Sequence, residues 1–356
     1  MAICFATGIL SHLIQQPPSW FVWGPRPAGL YRLTQGLHVA TGLAMIPIVV
    51  AKLWTVYPKL FVWPPAQTVL QATERLALLP LIGGSIFLLV SGLGNINIWR
   101  PWSVDFRTAH HAVAWVTVGS LLVHMGAKAA TTITALRRPT NPNQRADAAS
   151  ADPTTADGGL GRRGFLATVA GAAGAVTLFT VGQTYAPLRS IAFLAPRRPD
   201  VGPQGFPVNR TARSVGLTNV DVASYRLEVS GRGLNKPVSF TLGELQAMRQ
   251  RTATLPIACV EGWSTEQTWT GVPLRELLDA AGVREVSEVN VVSLQRSRRL
   301  QQSVVNRDQV EDLDTLLALM VNGETLAPDH GYPVRLMGPN RPGVLQTKWL
   351  ARIEVS

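Results

Sequence analysis

LPIACVEGWSTEQTWTGVPLRELLDAAG, residues Leu255 to Gly282, decides how the second half of this chain is read. The run LPIA is apolar and strand-like and ends at Cys259. A Gly-Trp turn at Gly262 and Trp263 follows, then a second turn at Trp269, Thr270 and Gly271. The amphipathic stretch PLRELL behind it predicts a short helix. A thiolate at a strand end above a rigid turn is well placed to ligate a soft metal. Cys259 is one of two cysteines; Cys4 lies far away in the first apolar segment. A buried, inert cysteine accounts for the spacing equally well, although an exported domain normally pairs its cysteines.

Working outward, the region from about residue 205 alternates short strands and helices. SYRLEVSG and SEVNVVSL predict strands, and TLGELQAM predicts a helix. EDLDTLLALMVNG predicts a helix ending on Gly323, and YPVRLMGP through KWLARIEVS predicts two strands around a Pro/Gly loop. Together they make a mixed α+β domain large enough for its own core.

The first half differs in kind. Its apolar segments are roughly 1–16, 36–57, 75–94 and 108–136, and spanning a bilayer takes about 20 residues. The last three suffice. The first is short and starts at the initiator methionine, so either the true start lies upstream or this helix is incomplete. Trp- and Pro-rich loops at 17–35 and 95–107 suit a membrane interface. Residues 137–161 form a polar linker without apolar periodicity, expected to be disordered. RRGFL, Arg162 to Leu166, then opens a further apolar span to about 185. It reads either as an internal twin-arginine export signal or as a fifth membrane helix with cytoplasmic arginines. Either way the linker is cytoplasmic, and the aromatic loops and everything after about 186 lie outside. The expected architecture is an all-α transmembrane helical bundle (1–136), the linker, a fifth helix (162–185) and an extracytoplasmic domain (205–356). The formal net charge of +11 flanks apolar spans or is scattered, without a basic stripe, which argues against nucleic acid as a partner and for a multi-pass protein of the cell membrane.

Five of the six histidines, His12, His38, His110, His111 and His124, lie in or beside apolar segments. Ionisable residues there mark function. His110 and His124 fall within about 40° on one helix face and about 21 Å apart along the axis, a spacing that suits two haem levels. His111 lands about 140° from His124, so His110 is the better candidate. The pattern resembles cytochrome-b type membrane subunits, which implies one or two haems b, with His38 and His110 sharing the outer one. His124 lies deeper. Its partner in such a family comes from the inner part of the first helix, whereas His12 stands near the outer end, leaving either a truncated start or the outer haem alone.

The Cys259 segment, FPVNRTA (Phe206 to Ala212) and HGYPVRLMGPNRPGVLQTKWLARIEV (His330 to Val355) together resemble the sulfite oxidase superfamily across 205–356. That resemblance implies a molybdopterin cofactor with Cys259 as molybdenum ligand, His330 against the pterin, and Arg210, Arg335, Asn340, Arg341 and Lys348 as further cofactor contacts. Arg296 to Leu300 is a weaker candidate for the same role. Glu261, two residues from the ligand, would shape the substrate pocket. The family's periplasmic methionine sulfoxide reductases work with a haem membrane subunit. Likeness to them implies a fused oxidoreductase exchanging electrons with the quinone pool and reducing S-oxides or N-oxides, free or protein-bound. Sulfite-type oxidation is the reverse alternative. From another class, a membrane-anchored cysteine acyltransferase using Cys259, His330 and Arg335 explains the exported thiol but neither the membrane histidines nor the C-terminal match. A degenerate, non-catalytic anchor domain is a third possibility.

Overall fold

The computed structural model describes residues 1–63, 66–99, 105–137, 161–295 and 302–356. Most of the expected linker (138–160) and Arg296 to Leu300 therefore lie outside the described residues. Five helices come first: α1 (Ala2–Gln15), α2 (Leu30–Leu60), α3 (Val69–Ile96), α4 (Phe106–Arg137) and α5 (Arg162–Val181). Within α2 to α5 are four spans long and apolar enough to cross a membrane, Leu30–Leu60, Gln71–Ile96, Phe106–Ala129 and Arg162–Val181; α1, with 14 residues, is shorter. Trp54, Leu79, Trp115 and Leu122 are exposed on these helices, apolar outward faces compatible with insertion in a bilayer.

The described residues divide into two compact units. One holds Thr41–Asn95 and Trp99–Thr177; the other holds Ala2–Ala40, Ile96–Ile98 and Leu178–Ser356. In the first, α3 and α4 approach closely at Gly84, where a Cβ would stand 2.1 Å from the Thr117 hydroxyl. Small residues permit such contacts between helices in lipid, where apolar burial offers no gain.

The second unit carries two five-stranded sheets. Its strands are β1 (Arg226–Gly231), β2 (Val238–Thr241), β3 (Arg251–Ala258), β4 (Ser264–Pro273), β5 (Glu288–Ser293), β6 (Gln302–Asn306), β7 (Leu316–Val321), β8 (Glu324–Thr325), β9 (Arg335–Met337) and β10 (Leu350–Val355). The first sheet runs β2-β1-β10-β5-β6, with β1 and β10 parallel; the second runs β3-β4-β7-β8, with β9 also on β7. Short helices α6 (Leu242–Ala247) and α7 (Leu274–Ala280) add Leu245, Leu274, Leu277 and Leu278 to a core with Leu227, Val289 and Ile353. Helix α6 starts on a capping box in which Thr241 and Glu244 satisfy each other's backbone N–H groups.

Two expectations need correction. EDLDTLLALMVNG is not one helix. Helix α8 (Arg307–Glu311) ends on its first residue, and Leu316 to Val321 form β7, buried on both faces at the centre of its sheet. A continuous apolar run carries no periodicity to separate the two states. Asn322 and Gly323 both take positive φ, the tight hairpin pair leading into β8. Likewise Trp269, Thr270 and Gly271 make no turn. They lie inside β4, with a bulge between Thr270 and Gly271, and Trp269 is fully buried.

Candidate active site around Cys259

Strand β3 delivers Cys259 into the interior. Past Ala258 the chain reverses over four residues: the Gly262 N–H donates to the Cys259 carbonyl at 3.0 Å, and the Cys259 N–H to the Trp263 carbonyl at 2.9 Å. Gly262 stands at φ +91°, where a side chain would be strained. Sγ accepts from Asn209 Nδ2 at 2.8 Å and from the Glu261 N–H at 3.4 Å. Burial pushes the thiol's pKa up, and the Glu261 carboxylate pushes it further. Without a bound cation this cysteine is a thiol, not a nucleophile.

Cys259 lines a cavity with Asn209, Arg210, Gln295, His330, Arg335 and Lys348, walled by Phe206, Trp263 and Trp349 among others. The stems of Arg335 and Lys348 converge on Gly331, where a Cβ would come within 3.2 Å of both; Gly331 also takes φ +113°. Arg335 donates to the His330 carbonyl at 3.2 Å, and Lys348 to the carbonyls of Asp329 (2.6 Å) and Arg210 (3.1 Å). Neither cation forms an ion pair among the described residues. Arg335 Nε is buried without a hydrogen-bond partner. Burial lowers the guanidinium to about 9, and burial together with the charge of Arg335 holds the Lys348 ammonium well below its ordinary range. A buried guanidinium beside a half-buried ammonium is unfavourable unless an anion meets them.

His330 stacks on Phe206 with ring centroids 3.7 Å apart. Its Nε2–H donates to the Pro203 carbonyl at 2.7 Å, leaving Nδ1 as a buried acceptor without a partner. Burial brings its pKa down to about 3, so the ring is neutral. The wall thus offers two cations and one lone pair, a set suited to a phosphate and to a polar ring bearing N–H groups.

Of the residues singled out from sequence, Cys259, Arg210, His330, Arg335 and Lys348 meet at this cavity, and Arg210 reaches Gln295 at 3.3 Å. Glu261 is buried behind the turn and accepts from the Trp263 indole at 3.3 Å. Asn340 and Arg341 do not line the cavity. Asn340 Oδ1 accepts from the Tyr31 N–H at 2.8 Å and its Nδ2 donates to the Gly24 carbonyl at 2.8 Å. Arg341 donates to Gln309 and to the carbonyls of Val304 and Leu345. Sequence reasoning passed over Asn209, although it stands beside Arg210 in FPVNRTA. The missing signal was distance: Asn209 is fifty positions from the sulfur it touches.

The membrane histidines fall in both units. His38 Nδ1–H donates to the Cys4 carbonyl at 2.8 Å, and His110 Nδ1 lies 3.0 Å from Ser91 Oγ. His111 Nε2 accepts from the Trp115 indole at 3.1 Å, on a side where Trp115 is exposed. His124 Nδ1 stands 3.9 Å from Glu74, which also pairs with Lys128. His12 lies on α1 and accepts the Gln16 N–H at its carbonyl.

Comparison with known proteins gives this site its class. Residues 214–356 match the family described as oxidoreductase molybdopterin binding domain. The C-terminal domain is a sulfite-oxidase-like molybdopterin-binding oxidoreductase domain. A protein-methionine-sulfoxide reductase subunit assigned in Azospira oryzae is 31% identical over 151 residues, 42% of this chain and 56% of that protein. The NADPH nitrate reductase of Phytophthora infestans is 34% identical over 35% of this chain and 17% of its own. Mouse mitochondrial sulfite oxidase is 26% identical over 46% and 35%. The chain thus spans less than two thirds of each of these relatives.

Proposed function

We propose that the Cys259 cavity holds a molybdopterin cofactor with Cys259 as the metal's protein ligand, in a membrane-bound enzyme that reduces S-oxides or N-oxides. One observation carries this: a buried sulfur shares its cavity with buried Arg335 and half-buried Lys348, neither ion-paired among the described residues, and with a neutral histidine lone pair. Arg335 and Lys348 would meet the cofactor's phosphate, His330 Nδ1 would accept from a pterin N–H, and Arg210 would close the near wall. Asn209 supports negative charge on the sulfur by its hydrogen bond, while Phe206, Trp263 and Trp349 keep water from it. When bound, the cofactor supplies two-electron oxygen-atom transfer. Asn340 and Arg341 we assign to holding the loop between β9 and β10, and Glu261 to the rear of the Cys259 turn.

S-oxide reduction is favoured over sulfite-type oxidation by the likeness to the Azospira subunit, whose name gives it that substrate class. Haem b is the proposed membrane electron carrier and the quinone pool the proposed donor. His38 and His110 each have Nδ1 anchored by a second group, which fixes ring orientation as axial ligation requires; His111 is engaged by Trp115. The side carrying 178–356 is proposed to be extracytoplasmic, since RRGFL opens α5 at its other end. Cysteine acyl transfer is disfavoured, because the buried thiol's pKa moves away from that of a nucleophile. Molybdenum and haem measured per purified chain test the reading: about one molybdenum and a b-type spectrum are expected, and finding neither would sink it.

A further inference from the structure

The Cys259 turn is gripped from behind by residues that take no part in the cavity. In α2, Val39 follows His38, and its two methyl carbons lie 3.2 and 3.3 Å from where a Cβ would stand on Gly262. Just past α5, the Thr184 hydroxyl donates to the Gly262 carbonyl at 2.6 Å, and the Gln183 carbonyl accepts the Ser264 N–H at 2.8 Å. Thr184 also rests on α2, for a Cβ on Gly36 would come within 2.8 Å of its methyl. Gly262 in turn donates to the Cys259 carbonyl. His38 is thus linked to Cys259 through its chain neighbour Val39, whose methyls lie close enough to Gly262 to leave no room for a side chain there, and through the Gly262–Cys259 hydrogen bond.

We propose that Thr184 is a positioning residue that clamps the Cys259 turn onto α2, so that electrons enter the site from the His38 segment across the Val39–Gly262 contact. The proposal rests on the haem-and-molybdenum reading above. Tunnelling falls exponentially with the width of a gap and least steeply along bonds, so a clamp that keeps this contact closed sets the rate. The balance is simple. A quinol gives up two electrons and two protons; the electrons cross singly, with no bond made or broken at the contact. The S-oxide takes up two electrons and two protons and leaves as sulfide and water. None of Gly36, Val39, Gln183 and Thr184 lines the cavity, so the clamp acts on delivery and not on substrate.

The test uses the full-length, membrane-extracted enzyme. Thr184→Val removes the hydroxyl and keeps the shape. Molybdenum and haem content should stay at the wild-type level, and S-oxide reduction driven by a reduced viologen, acting directly on the molybdenum site, should be unchanged. Quinol-driven reduction should slow roughly tenfold or more. If both rates fall together the residue is merely structural, and if the quinol rate holds the contact is not the route; either outcome overturns the proposal. A cofactor-independent readout comes from the Gly36→Cys, Thr184→Cys pair. A Cβ on Gly36 stands 3.7 Å from Thr184 Cβ, inside the roughly 3.5–4.5 Å that a disulfide bridges. Mass spectrometry after oxidation should find that disulfide, and its absence would remove the clamp. Wild-type protein lacking molybdenum or haem would instead overturn the underlying reading, while the disulfide still reports on the joint.

Discussion

Two sets of basic residues meet different fates in this molecule. Arg341 is buried away from the cavity and makes three side-chain hydrogen bonds, to Gln309 and two carbonyls, and Arg26 pairs with Asp312 at 2.8 Å and with Asp314. Arg335 is buried and donates one side-chain hydrogen bond, to the His330 carbonyl, and it lines the cavity beside the half-buried Lys348, neither of them ion-paired among the described residues. The first set holds the fold. The second turns positive charge toward a cavity where an anion can meet it. Hydrogen-bond count and a facing cavity therefore separate scaffold from site more sharply than residue type does, since both sets contain buried arginines from one Pro/Gly-rich segment.

Several substitutions would break or sharpen that contrast. The largest effect is expected for Cys259→Ser, which should lower S-oxide turnover by roughly a hundredfold or more while circular dichroism stays unchanged. On the scaffold side, Asn340→Ala strips partners from the Tyr31 N–H and the Gly24 carbonyl, and Asn340 sits at φ +55°, where Ala is disfavoured. It should cost about 2–3 kcal/mol in denaturant unfolding. Lys348→Met should behave in the opposite way. Molybdopterin content should fall roughly tenfold, yet the cofactor-free protein should melt no lower than wild type, because an uncompensated charge has gone. A lower Tm for cofactor-free Lys348→Met would show that the lysine belongs to the scaffold.

A smaller effect distinguishes His330. Its folded pKa of about 3 lies below the unfolded 6.5, so the unfolded chain takes up a proton that the folded one refuses. The stability it confers is complete above pH 6.5 and is lost as pH falls toward 3. Cofactor-free wild type should thus lose roughly 3 °C or more of Tm between pH 7 and 4 beyond the loss seen in His330→Asn. The smallest effect is expected for Arg26→Ala. Arg26 is more than half exposed, and its ion pairs should contribute less than about 1 kcal/mol to unfolding.

Much of this could be read from the sequence wherever local chemistry determines the outcome. The four spans, the helix in TLGELQAM, and the strand-end cysteine before a Gly-Trp turn all rest on neighbours within a few positions. What could not be read depends on distant packing. Leu316 to Val321 is a strand because both its faces are covered, and covering is invisible in an unbroken apolar run. Asn340 and Arg341 share a segment with Arg335 and Lys348, yet they turn away, because Tyr31, Gly24 and Gln309 satisfy them first. The docking of 2–40 against the C-terminal strands left no periodic trace at all. Its marks are single residues such as Trp23, whose indole donates to the Asn340 carbonyl at 2.9 Å.

The position of β10 has one more consequence. It lies in the middle of its sheet, between β1 and β5, yet it comes last in sequence among the described strands. The β1–β2 and β5–β6 pairs can therefore form earlier in synthesis, but nothing joins them until residue 355 is delivered. Lys348 sits two positions ahead of that strand and Arg335 is on β9 before it, so the residues proposed to grip the cofactor and the strand that closes the sheet arrive within one short interval of synthesis. A chain interrupted before β10 would leave this sheet as two separate strand pairs, with the two halves of the domain unjoined.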